Sequence, residues 1–122
     1  MAKFDLLNKQ HYMNLTTYRK TGAPMVTPVW FALDSDKNRV VVVTAPVAGK
    51  LKRIRNNPQV EVGPADMRGR ALGATISGQA HTLHDDESKI AEALLNRKYG
   101  LMKKLWTWFV TRGKPMAYIE II

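Results

Sequence analysis

Lys50, Lys52, Arg53 and Arg55 crowd one short segment of the chain, directly after Thr44 and a loop of small residues, Ala45-Pro46-Val47-Ala48-Gly49. These are the residue types of an anion seat. A loop that runs into a helix leaves the first backbone N–H groups unpaired and faces the positive end of the helix dipole. A threonine hydroxyl and a lysine ammonium placed there add a neutral donor and a full charge, which suits a phosphate group. On a helix Lys50 and Arg53 share a face, while Leu51 and Ile54 turn elsewhere. The segment is not a Walker loop, since it lacks that motif's glycine spacing and its Lys-Ser/Thr pair. The bland alternative is a solvated basic helix.

Other chemistries find less support. With no cysteine in the chain, disulfides, thiolate metal sites and cysteine nucleophiles are excluded. His81 and His84 on one strand would face opposite sides, which is poor chelate geometry, so no metal is expected. The acids Asp34, Asp36, Asp85 and Asp86 fall in turn or cap contexts, where carboxylates serve the local backbone. No general acid, base or nucleophile is identifiable.

Charge narrows the partner. The 122 residues carry 19 Lys and Arg against 10 Asp and Glu, a net +9, while 45% are apolar. The apolar fraction is enough for one folded domain over residues 1–122, and the charge calls for an anionic partner. Proteins that bind single-stranded nucleic acid interleave aromatics with their basic stripe. Lys50 to Arg55 contains none, so a phosphorylated small molecule is preferred to nucleic acid. Met1 to Lys9 has no signal-like apolar run and no stretch has spanning length, so a cytoplasmic protein without membrane contact is expected.

The elements that must position these residues are mostly strands. Phe4 to Met13 reads as a short amphipathic helix, and Asn14 to Lys20 as a strand closed by a turn at Gly22. Met25 to Leu33 is rich in β-formers, with Pro28 marking an edge or a bulge. Arg39 to Thr44 contains four consecutive valines and reads as a strand buried on both faces. Gly49 to Asn56 is helical, ended by Asn57-Pro58. Gln59 to Val62 is a strand, Pro64 to Arg70 a loop, and Leu72 to Leu83 a long strand bent at Gly73 and Gly78. Asp85-Asp86 caps a helix that runs through Tyr99, whose apolar positions include Ile90, Ala93, Leu94 and the stem of Arg97, with Gly100 as its stop. Leu101 to Phe109 reads as a further helix carrying Trp106 and Trp108, and Ala117 to Ile121 as a last strand. Six or so strands with short turns predict a mainly β fold, a small antiparallel barrel with a few helices.

The order of these pieces resembles the pyridoxamine 5'-phosphate oxidase-like split β-barrel family, specifically its deazaflavin (coenzyme F-420) dependent branch. The residues that carry the resemblance are Leu15-Thr16-Thr17-Tyr18-Arg19-Lys20-Thr21-Gly22-Ala23-Pro24 and Thr27-Pro28-Val29-Trp30-Phe31. Thr44 with Gly49-Lys50, Arg53 to Val60, and Pro64 to Gly69 continue it. The resemblance implies an FMN-binding split barrel and a homodimer with two cofactors in grooves between protomers. It implies an oxidoreductase that passes a hydride from reduced F-420 to a small organic acceptor. FMN is the alternative cofactor, and a non-catalytic carrier or anion-binding barrel the alternative role. By the same resemblance Thr27, Pro28, Val29 and Trp30 line the ring system. Thr44, Lys50 and Arg53 hold the phosphate, with Lys52 ranked behind them, and Gly49 is counted among the cofactor-binding residues.

Overall fold

The computed structural model describes residues 3–45, 48–100 and 116–122. Six antiparallel strands, β1 (Tyr12–Tyr18), β2 (Pro24–Asp34), β3 (Arg39–Thr44), β4 (Gln59–Ala65), β5 (Ile76–Leu83) and β6 (Ala117–Ile121), close a barrel in the order β1-β2-β3-β6-β5-β4. Two helices, α1 (Gly49–Asn56) and α2 (Asp85–Tyr99), complete the elements. This is the small antiparallel barrel that the strand pattern predicts, and α1 has the predicted bounds.

Two strands change partners part-way along. β2 pairs with β1 from Pro24 to Val29 and with β3 from Trp30 to Asp34. β5 pairs with β4 from Ile76 to Gln79 and with β6 from Ala80 to Leu83. The barrel is therefore two halves stitched together by β2 and β5. Pro28 lies one residue short of the Val29–Trp30 switch. The register runs unbroken through Asn14 and Pro28, so no bulge forms, and β3 has not yet begun to pair. Pro28 occupies an edge, where a missing N–H costs no ladder bond. Gly78 marks a close approach rather than a bend, since a Cβ there would stand 2.8 Å from Ile121 Cγ2.

Alternation divides the core in two. Met13, Leu15, Phe31, Val40, Val42, Val60, Val62, Ile119 and Ile121 fill the barrel, with Ile54 of α1 packed among them. Val41 and Val43 face the other way, against Ala91, Leu95 and Tyr99 of α2. The four valines of β3 are thus buried on both faces, as expected from their run.

Five predicted details give way to tertiary packing. Only Asp5–Leu7 forms a helical turn near the N-terminus, and β1 already begins at Tyr12. Lys9 at φ 65° ends the helical turn well short of the expected Met13. The strand expected from Leu72 starts at Ile76, and before it the chain meets β4 only in an isolated Ala65–Ala71 bridge and a Leu72 N–H bond to the Pro64 carbonyl at 2.9 Å. Pro64 and Ala65, expected in a loop, extend β4. On α2 the buried stripe is Ala91, Leu95 and Tyr99, while Ile90 is exposed. The N-cap is His84, and neither aspartate makes a side-chain cap bond. Asp85 and Asp86 act through their charge near the positive helix end. The expected helix at 101–109 lies outside the described residues.

Tyr99 closes the seam that the partner switch opens. Beyond Met13 and Val29 the β1–β2 ladder stops. There the Tyr99 hydroxyl accepts the Phe31 N–H at 3.1 Å. It stands 2.7 Å from the His11 carbonyl and 3.0 Å from the Phe31 carbonyl, two acceptors for its single proton. Burial pushes this hydroxyl up to about 12 from its ordinary value of 10.0. The unfolded chain releases the proton more readily, so the contribution to stability is complete below about pH 10 and is lost as pH rises through about 12. Tyr99→Phe leaves a buried N–H unpaired and is expected to cost about 1–3 kcal/mol. Urea unfolding checks this as a lower midpoint with an unchanged slope, and the variant also loses the alkaline decline that Tyr99 causes.

Candidate functional site

β2 and α1 converge where β3 ends. A groove of about 300 Å³ opens there, lined by Pro28, Val29 and Trp30 from β2, Thr44 from β3, Lys50 from α1 and Tyr12 from β1. Five of the eight residues singled out from sequence meet in this groove. Thr27, Gly49 and Arg53 do not line it. Thr27 pairs with Leu15 one step further along the ladder.

Arg53 stands behind the groove rather than in it. Its Nε donates to the Thr17 hydroxyl at 2.6 Å, and Thr17 is buried in β1. Its guanidinium folds back over the helix start, where a Cβ on residue 49 would stand 3.0 Å from Nη1. The absent side chain of Gly49 leaves that space for Arg53. Lys50, one turn earlier on the same face, is half-buried. Burial lowers the basicity of its ammonium, and the nearby charge of Arg53 lowers it further. Among the described residues no carboxylate pairs with either cation. Two cations held together without a counter-charge, beside a threonine, form a donor set that fits an anion.

The loop after β4 supplies a wall that the sequence reading did not assign. Asp66 Oδ1 accepts the backbone N–H groups of Arg68 and Arg70, both at 2.9 Å, and Oδ2 accepts Arg70 Nε at 2.7 Å. These bonds, led by those to Arg70, hold the Asp66 carboxyl below its usual range. Gly69, at φ 85°, carries the tight turn, and its carbonyl accepts Asn14 Nδ2 at 2.7 Å. The loop is thereby tied over β1 with Met67 at the mouth of the groove. Asp66 and Gly69 mark the turn in sequence, but nothing local reports that Met67 reaches the groove.

Two further cavities adjoin. One of about 350 Å³ is lined by His11, Tyr12, Trp30, Lys98 and Tyr99, so it shares Tyr12 and Trp30 with the groove. The other, about 670 Å³, lies on the opposite side of α1 at the partner switch of β5, with Lys52, Arg55, His81 and His84 among its walls. His81 and His84 face one cavity because His84 lies past the strand, where alternation no longer applies. Among the described residues no three His, Asp or Glu side chains converge on a metal position.

Residues 2–115 match the pyridoxamine 5'-phosphate oxidase family. The chain belongs to that family. None of the curated proteins matches it. Solved structures share the family fold at low identity. Atu2129 of Agrobacterium tumefaciens, a protein of unknown function, is 18% identical with a TM-score of 0.75 over 95% of this chain. The chain spans about half the length of that protein, 49%. HutZ, the haem storage protein of Vibrio cholerae, is 15% identical with a TM-score of 0.70, over 96% of this chain and 84% of HutZ. An F-420-H2 dependent reductase, FDR-A, is 13% identical with a TM-score of 0.67, over 92% of this chain and 94% of the reductase. At these identities the likeness is one of fold. Among the described residues no helix is long and apolar enough to cross a membrane.

Thr17→Val removes the oxygen that fixes Arg53. It is expected to cost about 1–3 kcal/mol of stability and to weaken phosphate-ligand binding about fivefold, roughly 1 kcal/mol. Urea unfolding and calorimetric titration with FMN read the two effects separately.

Proposed function

We propose that this pyridoxamine 5'-phosphate oxidase family member is an oxidoreductase that binds coenzyme F-420 and reduces a small organic acceptor, with FMN as the alternative cofactor. The observation that carries this reading is Lys50. Its ammonium lines a groove with Thr44 and Trp30, made less basic by burial and by Arg53, with no carboxylate of the described residues paired to it. A phosphate there offsets both costs. The preference for the deazaflavin is electrostatic. F-420 carries a phosphodiester and a chain of glutamates, a polyanionic tail that suits a chain of net charge +9. The fold shared with FDR-A adds support.

When bound, the deazaflavin supplies the hydride chemistry. The chain's own residues do the rest. Lys50 and Thr44 hold the phosphate, Arg53 adds charge behind them, and Pro28, Val29 and Trp30 line the ring system. Tyr12 and Met67 wall the groove and limit water. Thr27 and Gly49 contribute through the backbone on either side. The same reading includes a homodimer. Val26, Met67 and Leu72 are large apolar side chains left exposed, a pattern that a second copy of the chain would cover.

A second reading, a non-catalytic carrier, is favoured by the larger cavity. His81 and His84 stand there with Lys52 and Arg55, a set suited to a planar ligand bearing carboxylates. HutZ, which shares the fold, stores haem.

Fluorescence titration with F-420 and, separately, with FMN tests the proposal. Tight F-420 binding is expected, weakened roughly 10- to 100-fold by Lys50→Ala, as for the loss of a charged hydrogen bond, and about fivefold by Arg53→Ala, which removes a charge behind the groove. Saturable FMN binding without F-420 binding moves the protein to the flavin alternative. Binding of neither overturns the redox reading.

A further inference from the structure

The fold holds a second isolated cation away from the phosphate seat. Lys98, in the last turn of α2, is exposed as a whole residue, yet its ammonium lies over the ring of the fully buried Phe31. Nζ stands 3.5 Å from the centroid of that ring and 5.3 Å from that of Tyr99. No carboxylate of the described residues lies within ion-pair distance of it. The quadrupoles of the two rings supply part of the missing counter-charge, but such contacts are weaker than a desolvated ion pair.

The ammonium opens onto the 350 Å³ cavity, whose other walls are His11, Tyr12, Trp30 and Tyr99. Trp30 and Tyr99 stack at 4.7 Å between centroids and 10° between planes, which fixes both rings. Every described element around Lys98 leaves it without a negative partner among the described residues. The segment before β1 brings His11, β1 brings Tyr12, β2 brings the uncharged Trp30 and Phe31, and α2 brings Tyr99. Burial holds the Tyr99 hydroxyl neutral until about pH 12. A cavity bounded by flat rings with one cation at its edge selects a flat ligand carrying one negative group.

We propose that this cavity is a ligand site for a planar aromatic anion, whose ring lies against Trp30 and Tyr99 and whose anionic group pairs with Lys98 Nζ. The site shares Tyr12 and Trp30 with the groove. If the cofactor reading holds, on which this assignment alone rests, the ligand is the hydride acceptor held beside the ring system. Burial also pushes the Lys98 ammonium down to about 8 from its ordinary value of 10.5. A base with a depressed folded value destabilises the fold at neutral pH, and an anion bound there opposes that cost.

Calorimetric titration of the cofactor-free protein with 2-naphthoate and with the neutral 2-naphthalenemethanol tests the site. Because no cofactor is present, the outcome is independent of the cofactor reading. At about pH 7 naphthoate is expected to bind about tenfold tighter than the alcohol. Lys98→Met abolishes that preference and Lys98→Arg retains most of it. Trp30→Ala weakens both probes. Raising the pH to about 9 erodes the preference in the wild type as Lys98 loses its proton. Near-UV circular dichroism of each variant checks that the fold is kept. Equal binding of the two probes, no binding of either, or a preference that survives Lys98→Met overturns the proposal. So does naphthoate binding that Lys50→Ala removes and Lys98→Met does not, since it puts the anion in the phosphate seat.

Discussion

The Tyr99 hydroxyl occupies the seam at which β1 and β2 part, and the geometry around the groove depends on it. A strand that changes partners must leave backbone groups unpaired at the point of exchange, and a buried unpaired group costs about 1–3 kcal/mol. Here a side chain from α2, distant in sequence, satisfies Phe31. The bond fixes where α2 lies on the barrel, and the ring of the same residue stacks on Trp30. Trp30 in turn stands between the two smaller cavities, so their common wall is set by one hydroxyl and one stacked pair.

The second constraint is the distribution of charge. The buried cation on the barrel wall, Arg39, is matched by acids, with Asp34 at 2.9 Å, Glu87 at 3.3 Å and Glu120 at 3.7 Å. Among the described residues no acid matches Lys50, Arg53 or Lys98 at the cavities. Lys50 and Arg53 share the start of α1, and Lys98 is capped by rings. A buried charge without a partner costs stability, so an arrangement that repeats it at successive openings is better explained by ligands than by the fold.

Local patterns made much of this legible. The valine run of β3, the bounds of α1 and the turn at Gly22 follow from residue type and spacing alone. The cluster of cations beside Thr44 was legible for the same reason, since Thr44, Gly49, Lys50 and Arg53 lie within ten residues of one another. Their division of labour was not. That Gly49 makes room for Arg53, and that Thr17 fixes Arg53 from β1, are consequences of α1 packing on the barrel. The Trp30–Tyr99 stack and the position of Lys98 left no local signal, because the buried stripe of α2 is set by what β2 and β3 present. His81 and His84 were placed apart by a strand alternation that ends before His84.

The central claim is that the cofactor lies on the Lys50 side of α1, between β2 and the end of β3. The direct measurement is a two-dimensional amide NMR spectrum of the nitrogen-labelled protein, recorded with and without F-420 and FMN. The account predicts shifts concentrated at Tyr12, Val29, Trp30, Thr44, Ala45 and Lys50, with His81, Thr82 and His84 unmoved. Shifts confined to His81, Thr82 and His84 would place the ligand in the larger cavity across the helix and contradict it.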